Sequence, residues 1–258
     1  MPEISDLEHF SKNLKKDLLN KKINHIEIYK EKRMKPSSDA IIKNLQNQVI
    51  KDIKRSGKEI VISLSNEHSI SIHLMLKGEF FIEEIFHQKK ETILKMDLED
   101  TTFWIEDSKY LTTVELDKEE MVPDVLANNF TLEYFLAQVQ KNQRKNGKAF
   151  LIDQSIMRGI GNAYADEILY ATKIHPASIL IKVEEKKLKE LYGNISKVIL
   201  DSLQKLEELT PNAIRGEERS FLKVHRKDIQ IAENGETIVI EKIAGKDTYF
   251  VASQEVIK

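Results

Sequence analysis

The N-terminal half of the chain consists of short runs in which apolar and polar residues alternate. Between Lys22 and Leu116 these runs include INHIEIY, EIVISL, SISIHLML, EFFIEEI, TTFWIED and YLTTVEL, and Gly, Asn, Asp and Ser separate them. Alternation with a period of two is the pattern of strands that bury one face. We therefore predict a β-rich domain here, a sandwich with a helix packed on it.

One helix is predicted ahead of these strands. Apolar residues recur at helical spacing near the N-terminus, at Leu7, Phe10, Leu14 and Leu18. Ser5, followed three residues later by Glu8, has the pattern of a capping box, which predicts that the helix begins at Ser5. We expect this helix to end near Asn20.

The pattern becomes helical in the second half of the chain. A segment after residue 116 carries charges and a proline without a clear period, as linkers do. From Phe130 the runs TLEYFLAQVQK, NAYADEILYATKI and VEEKKLKELYGNISKVILDSLQKL have helical spacing. After Arg226 the alternation returns, and its turn signals predict a hairpin. The two predicted turns lie at Asn234-Gly235 and at Gly245-Lys246-Asp247.

These patterns predict an α+β protein of two domains. The predicted ranges are 1–116 for the N-terminal β-sandwich domain, 117–129 for the linker, 130–225 for the helical domain and 226–258 for a terminal β-hairpin. A chain of 258 residues is long enough for two domains that each bury a core.

Composition narrows the class of protein. Charged residues make up 32% of the chain and hydrophobic residues 41%, as in globular proteins with a charged surface. No run of about 18 apolar residues occurs, so we predict no membrane-spanning segment and no membrane partner. The N-terminus MPEISDLEHF is acidic from its third residue and lacks the order of a secretory signal, so we expect the protein in the cytoplasm.

The residue types present also limit the chemistry. The chain has no cysteine, which excludes disulfides and thiolate metal sites. Its seven histidines are scattered without close pairs, so we predict no metal site and no cofactor. The formal net charge of −2 lowers the expectation of nucleic-acid binding, which favours basic proteins, but it does not exclude a local basic face.

One segment carries a specific chemical signal. In MRGIGNAYADEIL, Gly159 and Gly161 bracket a tight turn, and Asn162 stands where a helix N-cap is expected. The free N–H groups at such a helix start could hold a phosphate oxygen. The alternative is a helical hairpin whose glycines only permit close packing.

The wider segment KAFLIDQSIMRGIGNAYADEILYATKIHP resembles the helix-two-turn-helix segment of the formamidopyrimidine-DNA glycosylase and endonuclease VIII family. The order of parts is also similar along the chain. A terminal MPE is followed by a helix, a β-sandwich with GK and HLxxxG segments, the helix-two-turn-helix segment (called the clamp below), and LKVHRKD, which leads into a hairpin. The resemblance implies a base-excision repair enzyme that binds damaged double-stranded DNA, and we expect a monomer.

The resemblance also implies catalytic roles near the N-terminus. Pro2, exposed by removal of Met1, would attack the sugar C1′ of a flipped-out nucleotide and form an iminium ion. Glu3 would pass a proton to the sugar ring oxygen. Asp6 stands where the family has a glutamate, so its carboxylate is one methylene shorter. Lys58, in RSGKEIV, matches a lysine that contacts the phosphate beside the lesion.

Contacts with the DNA are implied in the same way. The positions that match phosphate-binding residues of the family are His73, Lys148, Asn162 and Lys246. The positions that match side chains inserted into the hole left by the flipped base are Leu76, Lys109 and Leu111. Lysine at 109 lacks the planar fork of arginine, which favours the endonuclease VIII side of the family. Without cysteines, the terminal hairpin is expected to resemble the fingers of zincless members.

Two other functions remain open at this point. A non-catalytic DNA or lesion binder would keep the clamp while losing the chemistry, and the departures from the family at Asp6, Lys109, Leu111 and Lys246 would accompany that loss. A protein-interaction module without a DNA role would require the clamp match to be accidental. The presence of Pro2, Glu3, Lys58 and Asn162 favours a bifunctional glycosylase and lyase.

Overall fold

The alternating runs of the N-terminal half form the strands of two sheets in a computed structural model that describes residues 1–257. Two short helices accompany them, α1 (Ile4–Leu18) and α2 (Ser38–Leu45). The strands are β1 (His25–Ile28), β2 (Met34–Lys35), β3 (Ile50–Ser56), β4 (Glu59–Leu64), β5 (Ser69–His73), β6 (Gly78–Glu83), β7 (Thr92–Asp97), β8 (Thr102–Asp107) and β9 (Thr113–Leu116).

The two sheets share one hydrophobic core. One sheet has the order β1-β7-β8-β6 and the other the order β2-β9-β5-β4-β3, with antiparallel pairing except between β2 and β9. Buried side chains of both sheets, such as Ile62 and Ile72 from one and Phe80 and Phe103 from the other, belong to the same cluster. The predicted β-sandwich is confirmed.

The second half of the chain forms helices and a terminal hairpin. The helices are α3 (Leu132–Lys141), α4 (Gly147–Leu151), α5 (Asn162–Thr172) and α6 (Glu185–Leu209), and the hairpin strands are β10 (Val239–Ile243) and β11 (Lys246–Phe250). Side chains cap two of these helices as N-cap residues do. The Thr131 hydroxyl accepts from the N–H of Tyr134, and the Asn146 amide oxygen accepts from the N–H of Ala149.

The residues divide into two units. Unit 1 comprises Met1–Pro2, Asp6–Glu120 and Leu209–Glu217, and unit 2 comprises Glu3–Ser5, Met121–Glu208 and the chain from Glu218 onward. The return of Leu209–Glu217 to unit 1 was not predicted. Only two of its side chains, Ala213 and Ile214, pack on the unit 1 core. The segment therefore shows no repeating pattern of apolar residues from which its position could be predicted.

The start of α1 differs from the prediction. The helix begins at Ile4, so Ser5 is a helical residue and not its N-cap. The Ser5 side chain is fully buried, and its hydroxyl donates a hydrogen bond to the carbonyl of Ile199 at 3.1 Å. A buried hydroxyl requires such a partner, and here the partner lies far along the chain.

The terminal hairpin turns one residue earlier than predicted. Ile243 pairs with Lys246, so the turn consists of Ala244 and Gly245, both with positive φ (52° and 73°). Such two-residue turns match the twist of paired strands. The Asn234-Gly235 turn is present, with φ of +84° at Gly235, but only an isolated bridge between Ile231 and Thr237 flanks it.

Two searches of residues 1–257 bear on membranes and metals. None of the helices there combines the length and the apolar character that a membrane crossing requires. The same residues include no group of three or more His, Asp or Glu side chains placed to hold a metal ion.

Candidate functional site

Pro2 lies in the wall of a small cavity in unit 1. The cavity has a volume of about 230 Å³ and is lined by Pro2, Leu76, Lys77, Gly78, Glu79, Gly216 and Glu217. Pro2 itself is buried, and the ammonium group of Met1 donates to the carboxylate of Glu217. Asp6, one turn into α1, is 1% exposed. The cavity therefore combines the chain terminus with a loop and a segment that are distant in sequence.

Lys58 and His73 lie near each other in the five-stranded sheet. Lys58 is at the tip of the β3–β4 hairpin, and His73 ends β5. Burial, together with the positive charges of Lys58 and Lys118, lowers the pKa of His73 to about 4. The ring is therefore neutral near pH 7. Its Nδ1 accepts from the N–H of Met75 at 2.9 Å, which leaves the proton on Nε2 as a donor.

Lys118 is a member of this group that the sequence did not reveal. Its ammonium lies 2.6 Å from a carboxylate oxygen of Glu59 and 3.1 Å from one of Glu120. Burial raises the pKa of Glu59, and the Lys118 charge opposes that shift. These two carboxylates offset the positive charge of Lys118.

The predicted insertion residues lie on two loops that contact each other. Leu76, in the loop between β5 and β6, is 53% exposed, and Lys109 is exposed in the loop between β8 and β9. A Cβ at Gly78 would lie only 2.5 Å from the Thr112 hydroxyl, so the loops meet where residue 78 has no side chain. The structure thus brings the loop of Leu76 against the loop that carries Lys109 and Leu111.

Asp107 organises the second of these loops. Its fully buried carboxylate accepts hydrogen bonds from the backbone N–H groups of Lys109, Leu111 and Thr112 at 2.7–2.8 Å, and from the Thr112 hydroxyl at 2.9 Å. Bonds to a charged acceptor are the stronger ones. The sequence analysis missed Asp107. The pattern of an aspartate followed by a short turn, in EDSKYLTTV, was the available signal.

In unit 2, Glu3 occupies the N-terminus of α5. Its carboxylate accepts from the N–H groups of Ala163 at 3.0 Å and Tyr164 at 3.2 Å. The helix begins at Asn162 with Gly161 as N-cap, so the predicted cap at Asn162 is wrong. The Glu3 carboxylate already satisfies two of the N–H donors that the sequence analysis had assigned to a phosphate.

Asn162 contacts the terminal hairpin. Its Nδ2 donates to the carbonyl of Asp247 at 3.0 Å, and its buried Oδ1 has no hydrogen-bond partner within residues 1–257. Asp247 follows Lys246, which is exposed at the hairpin tip. Asn162 thus holds the tip beside the start of α5.

The prediction that Lys148 contacts phosphate is wrong. The side chain is 0% exposed, and its ammonium donates to the carbonyl of Asn162 and to the carboxylate of Asp166, both at 2.6 Å. Burial lowers the pKa of Lys148, whereas the charge of Asp166 opposes that shift. A charge in this position is paired inside the protein and cannot reach DNA.

Asp166 and Glu167 connect α5 to the terminal segment, a role that the sequence analysis missed. Asp166 also accepts from the N–H of Tyr249 at 3.0 Å and lies 2.7 Å from Nδ1 of His225. Glu167 accepts from the backbone N–H groups of residues 223–225 at 2.8–2.9 Å. Burial raises the pKa of Glu167, and these three donors oppose the shift. Glu167 therefore holds the segment that leads into the hairpin, and Asp166 holds the hairpin strand β11 through Tyr249.

Family models match most of the chain. Residues 1–114 match the formamidopyrimidine-DNA glycosylase N-terminal domain, and residues 121–210 match the helix-two-turn-helix domain of the same enzyme. The β-sandwich and the helix-two-turn-helix domain, each matched by its family model, define a DNA glycosylase of base-excision repair. In sequence, the chain is 30% identical to the formamidopyrimidine-DNA glycosylase of Mycoplasma genitalium, covering 97% of this chain and 94% of that protein. The chain belongs to the formamidopyrimidine-DNA glycosylase family.

Another relative and two solved structures extend the comparison. The formamidopyrimidine-DNA glycosylase of Carboxydothermus hydrogenoformans is 29% identical over 97% of this chain and 98% of its own. The Lactococcus lactis enzyme in complex with abasic-site DNA has a TM-score of 0.88 at 22% identity, and its complex with Fapy-dG DNA has 0.88 at 23%. Each alignment covers 98% of this chain and 99% of the other. These likenesses establish the fold. Both relatives carry the formamidopyrimidine-DNA glycosylase name, although Lys109 favoured the endonuclease VIII side.

Proposed function

We propose that this protein is a bifunctional DNA glycosylase and abasic-site lyase that acts on damaged double-stranded DNA as a monomer in the cytoplasm. The observation that carries the proposal is the position of Pro2, buried in the wall of a cavity of about 230 Å³. A base that is rotated out of the duplex needs a pocket next to the nucleophile. The cavity is smaller than typical drug-sized pockets and suits a single base.

The chemistry begins at the amine of Pro2 after removal of Met1. The nitrogen forms a bond to C1′ while the bond from C1′ to the damaged base breaks, and the base leaves with its bonding electrons and takes up a proton. Opening of the sugar ring gives an iminium ion, an electron sink that allows loss of the 2′ proton and then of the 3′ phosphate. No metal or cofactor enters these steps.

Glu3 is the proposed proton carrier for the ring oxygen. Its carboxylate is fixed by the N–H groups of Ala163 and Tyr164, each on a different oxygen. A carboxylate in one fixed geometry suits proton transfer, because efficiency depends on hydrogen-bond reach in the reacting complex.

The remaining positions are proposed to hold the DNA. Lys58, His73, Asn162 and Lys246 would contact phosphates, and Leu76, Lys109 and Leu111 would fill the hole left by the flipped base. Two observations support the proposed insertion of Leu76, Lys109 and Leu111: the loops that carry them contact each other, and Leu76 is exposed. Lys148 has no place in this set, because its side chain is buried.

Borohydride trapping tests the proposal. The mature N-terminus is first determined by mass, and the protein is then incubated with duplex DNA containing an abasic site in the presence of borohydride. We expect a covalent complex in the wild type that is absent in Pro2→Gly, although this variant still binds the DNA. Tight binding of all lesions without trapping or strand cleavage would overturn the proposal in favour of a non-catalytic binder.

A further inference from the structure

The segment Leu209–Glu217 is anchored to α1 at its start. The carbonyl of Thr210 lies 2.6 Å from Nε2 of His9, and the carbonyl of Ala213 accepts from Nδ2 of Asn13 at 2.8 Å. His9 and Asn13 are both buried, and Ala213 packs on the unit 1 core. Buried polar side chains that bond a backbone in this way fix its course, because breaking the bond would leave them unsatisfied.

The end of the same segment is fixed by stacking. The guanidinium of Arg215 lies 4.0 Å from the centre of the Phe81 ring, within the range of a cation–π contact. Gly216 has a φ of +86°, a conformation that favours glycine, and Glu217 follows it. Both Gly216 and Glu217 then line the cavity of Pro2. A segment held at both ends therefore presents one carboxylate to this cavity.

That carboxylate already binds the chain terminus. In the chain with Met1, the terminal ammonium donates to Glu217. The nitrogen of Pro2 lies one residue further along, a displacement of at most about 3.6 Å. Removal of Met1, which the proposed function requires, moves the terminal charge to Pro2. The carboxylate of Glu217 then lines the same cavity as the new terminal amine.

We propose that Glu217 is the counter-ion and proton acceptor of the Pro2 amine in the mature protein. The ammonium form of Pro2 has no lone pair, so it must lose a proton before the nitrogen can bond to C1′. That proton passes to a carboxylate oxygen of Glu217, and the freed lone pair of Pro2 forms the C–N bond. The inference rests on the proposed function of Pro2 as nucleophile.

Other charged groups near Pro2 do not replace Glu217. Lys77 and Glu79 line the cavity from the loop before β6 and from β6 itself. Asp6 is buried in α1, and the carboxylate of Glu3 is bound to the start of α5. All of these groups remain unchanged when Glu217 is substituted. Their effect on the protonation of Pro2 is therefore the same in the wild type and in the variant, and it cannot account for a difference between the two.

The test is the pH profile of single-turnover borohydride trapping on abasic-site DNA. A nearby carboxylate favours the charged form of an amine, so removing its charge frees the amine at lower pH. We expect Glu217→Gln to move the acidic limb of the profile down by about one pH unit, the shift for a half-exposed charge pair in water. The maximal rate should fall at the same time, because the proton acceptor is lost. Glu217→Asp should restore the limb toward its original position.

Glu218→Gln is the matched control, since it removes the same charge one residue further along. We expect its profile to coincide with that of the wild type. Identical acidic limbs in wild type and Glu217→Gln would overturn the inference, and so would an equal shift in Glu218→Gln. If the wild type with a mature Pro2 terminus is not trapped at any pH, the proposed function itself fails. Thermal unfolding and abasic-site DNA binding establish that each variant is folded.

Discussion

The carboxylate of Glu3 lies directly against the backbone of Gly161. A Cβ at residue 161 would lie 2.2 Å from the carboxyl carbon of Glu3 and 2.5 Å from both of its oxygens. Gly161 has φ −114° and ψ −161°, extended backbone that any residue can adopt. The absence of a side chain at 161 is therefore required by Glu3 and not by the turn.

Gly161→Ala is expected to displace Glu3 from the start of α5. The substitution should lower the free energy of unfolding by about 1–2 kcal/mol, the range for loss of a helix cap. It should slow single-turnover base excision by at least about 100-fold, because a proton-transfer group contributes on that scale. Urea unfolding and excision kinetics measure the two effects.

Gly193→Ala is the control for this prediction. Gly193 lies within α6, and a Cβ there would have no atom within 4 Å. Alanine is the better helix former by about 1 kcal/mol, so this variant should be slightly more stable and fully active. Wild-type excision by Gly161→Ala would contradict the role assigned to the Glu3–Gly161 contact.

Asp107→Asn is expected to loosen the loop that carries Lys109 and Leu111. The amide replaces one accepting oxygen with a donor that faces backbone N–H groups. Hydrogen bonds to a charged group contribute about 1.5–3 kcal/mol each, so we expect a measurable loss of stability. Excision from duplex DNA should fall more than trapping on single-stranded abasic DNA. In a single strand no base pair is opened, so no hole is left in the duplex for Lys109 and Leu111 to fill.

Asp100→Asn is the control, since Asp100 lies in an exposed turn and pairs with Lys21 at the surface. It should leave both the stability and the ratio between duplex and single-strand activity unchanged. Equal losses on duplex and single-stranded DNA in Asp107→Asn would show that the loop does not act through base-stack insertion.

The sequence predicted those features whose signal is local. Alternation over five to seven residues predicted the strands, and the GIGN turn predicted the start of α5 within one residue. The contacts it missed join distant residues: Glu3 to Ala163, His9 to Thr210, and Asp166 to Tyr249. No periodicity within either partner predicts such a pair.

The buried ion pair of Lys148 could not be predicted from the sequence either. Lysine is rarely buried unless it is paired, so a lysine beside a phosphate-binding motif is expected at the surface. Its partner Asp166 is 18 residues away, and the fold brings them together through the short helix α4 and the start of α5. Burial of the pair became evident only from the packing of these two helices.

Lys148→Met is expected to destabilise unit 2 strongly. The substitution leaves the buried carboxylate of Asp166 without its cation, which costs about 3–5 kcal/mol in comparable buried pairs. Lys187→Met, which removes a surface lysine that pairs with Glu190, should cost less than about 1 kcal/mol. Urea unfolding curves compare the two.

The same variant separates a structural lysine from a phosphate-binding one. At low temperature, where the protein is folded, the slope of log affinity against log salt should be unchanged in Lys148→Met. In Lys246→Met it should decrease by about 0.9, the contribution of one phosphate contact on duplex DNA. A reduced slope in Lys148→Met would restore the role that its burial excludes.

The lowered pKa of His73 is expected to make the free energy of unfolding depend on pH. Its pKa in the folded protein is about 4 against an ordinary value of 6.5, mainly because burial disfavours the charged ring. Between these values the unfolded chain binds more protons, so stability should rise with pH from about 4 to 6.5 and be lost as pH falls through this window. His73→Asn should flatten the curve there. His68→Gln, at an exposed histidine, should leave it unchanged, and a curve that stays steep in His73→Asn would refute the prediction.

Asn162→Ala is expected to weaken binding to every DNA by the same factor. Asn162 bonds the hairpin tip through the carbonyl of Asp247, and its Oδ1 is buried without a partner in the described part of the chain. Loss of this side chain should displace Lys246 and remove one proposed phosphate contact. Phosphate contacts position a protein on DNA without reading its sequence, so no lesion should be affected more than another.

Equilibrium binding to undamaged, abasic and oxidised-base duplexes measures this effect. Asn44→Ala is the control, because the side chain of Asn44 donates to the carbonyl of Ala40 in its own helix and has no proposed DNA contact. We expect about a tenfold loss on all three duplexes in Asn162→Ala, the equivalent of one charge-assisted hydrogen bond, and none in Asn44→Ala. A loss confined to the abasic or the oxidised duplex would instead assign Asn162 to lesion recognition.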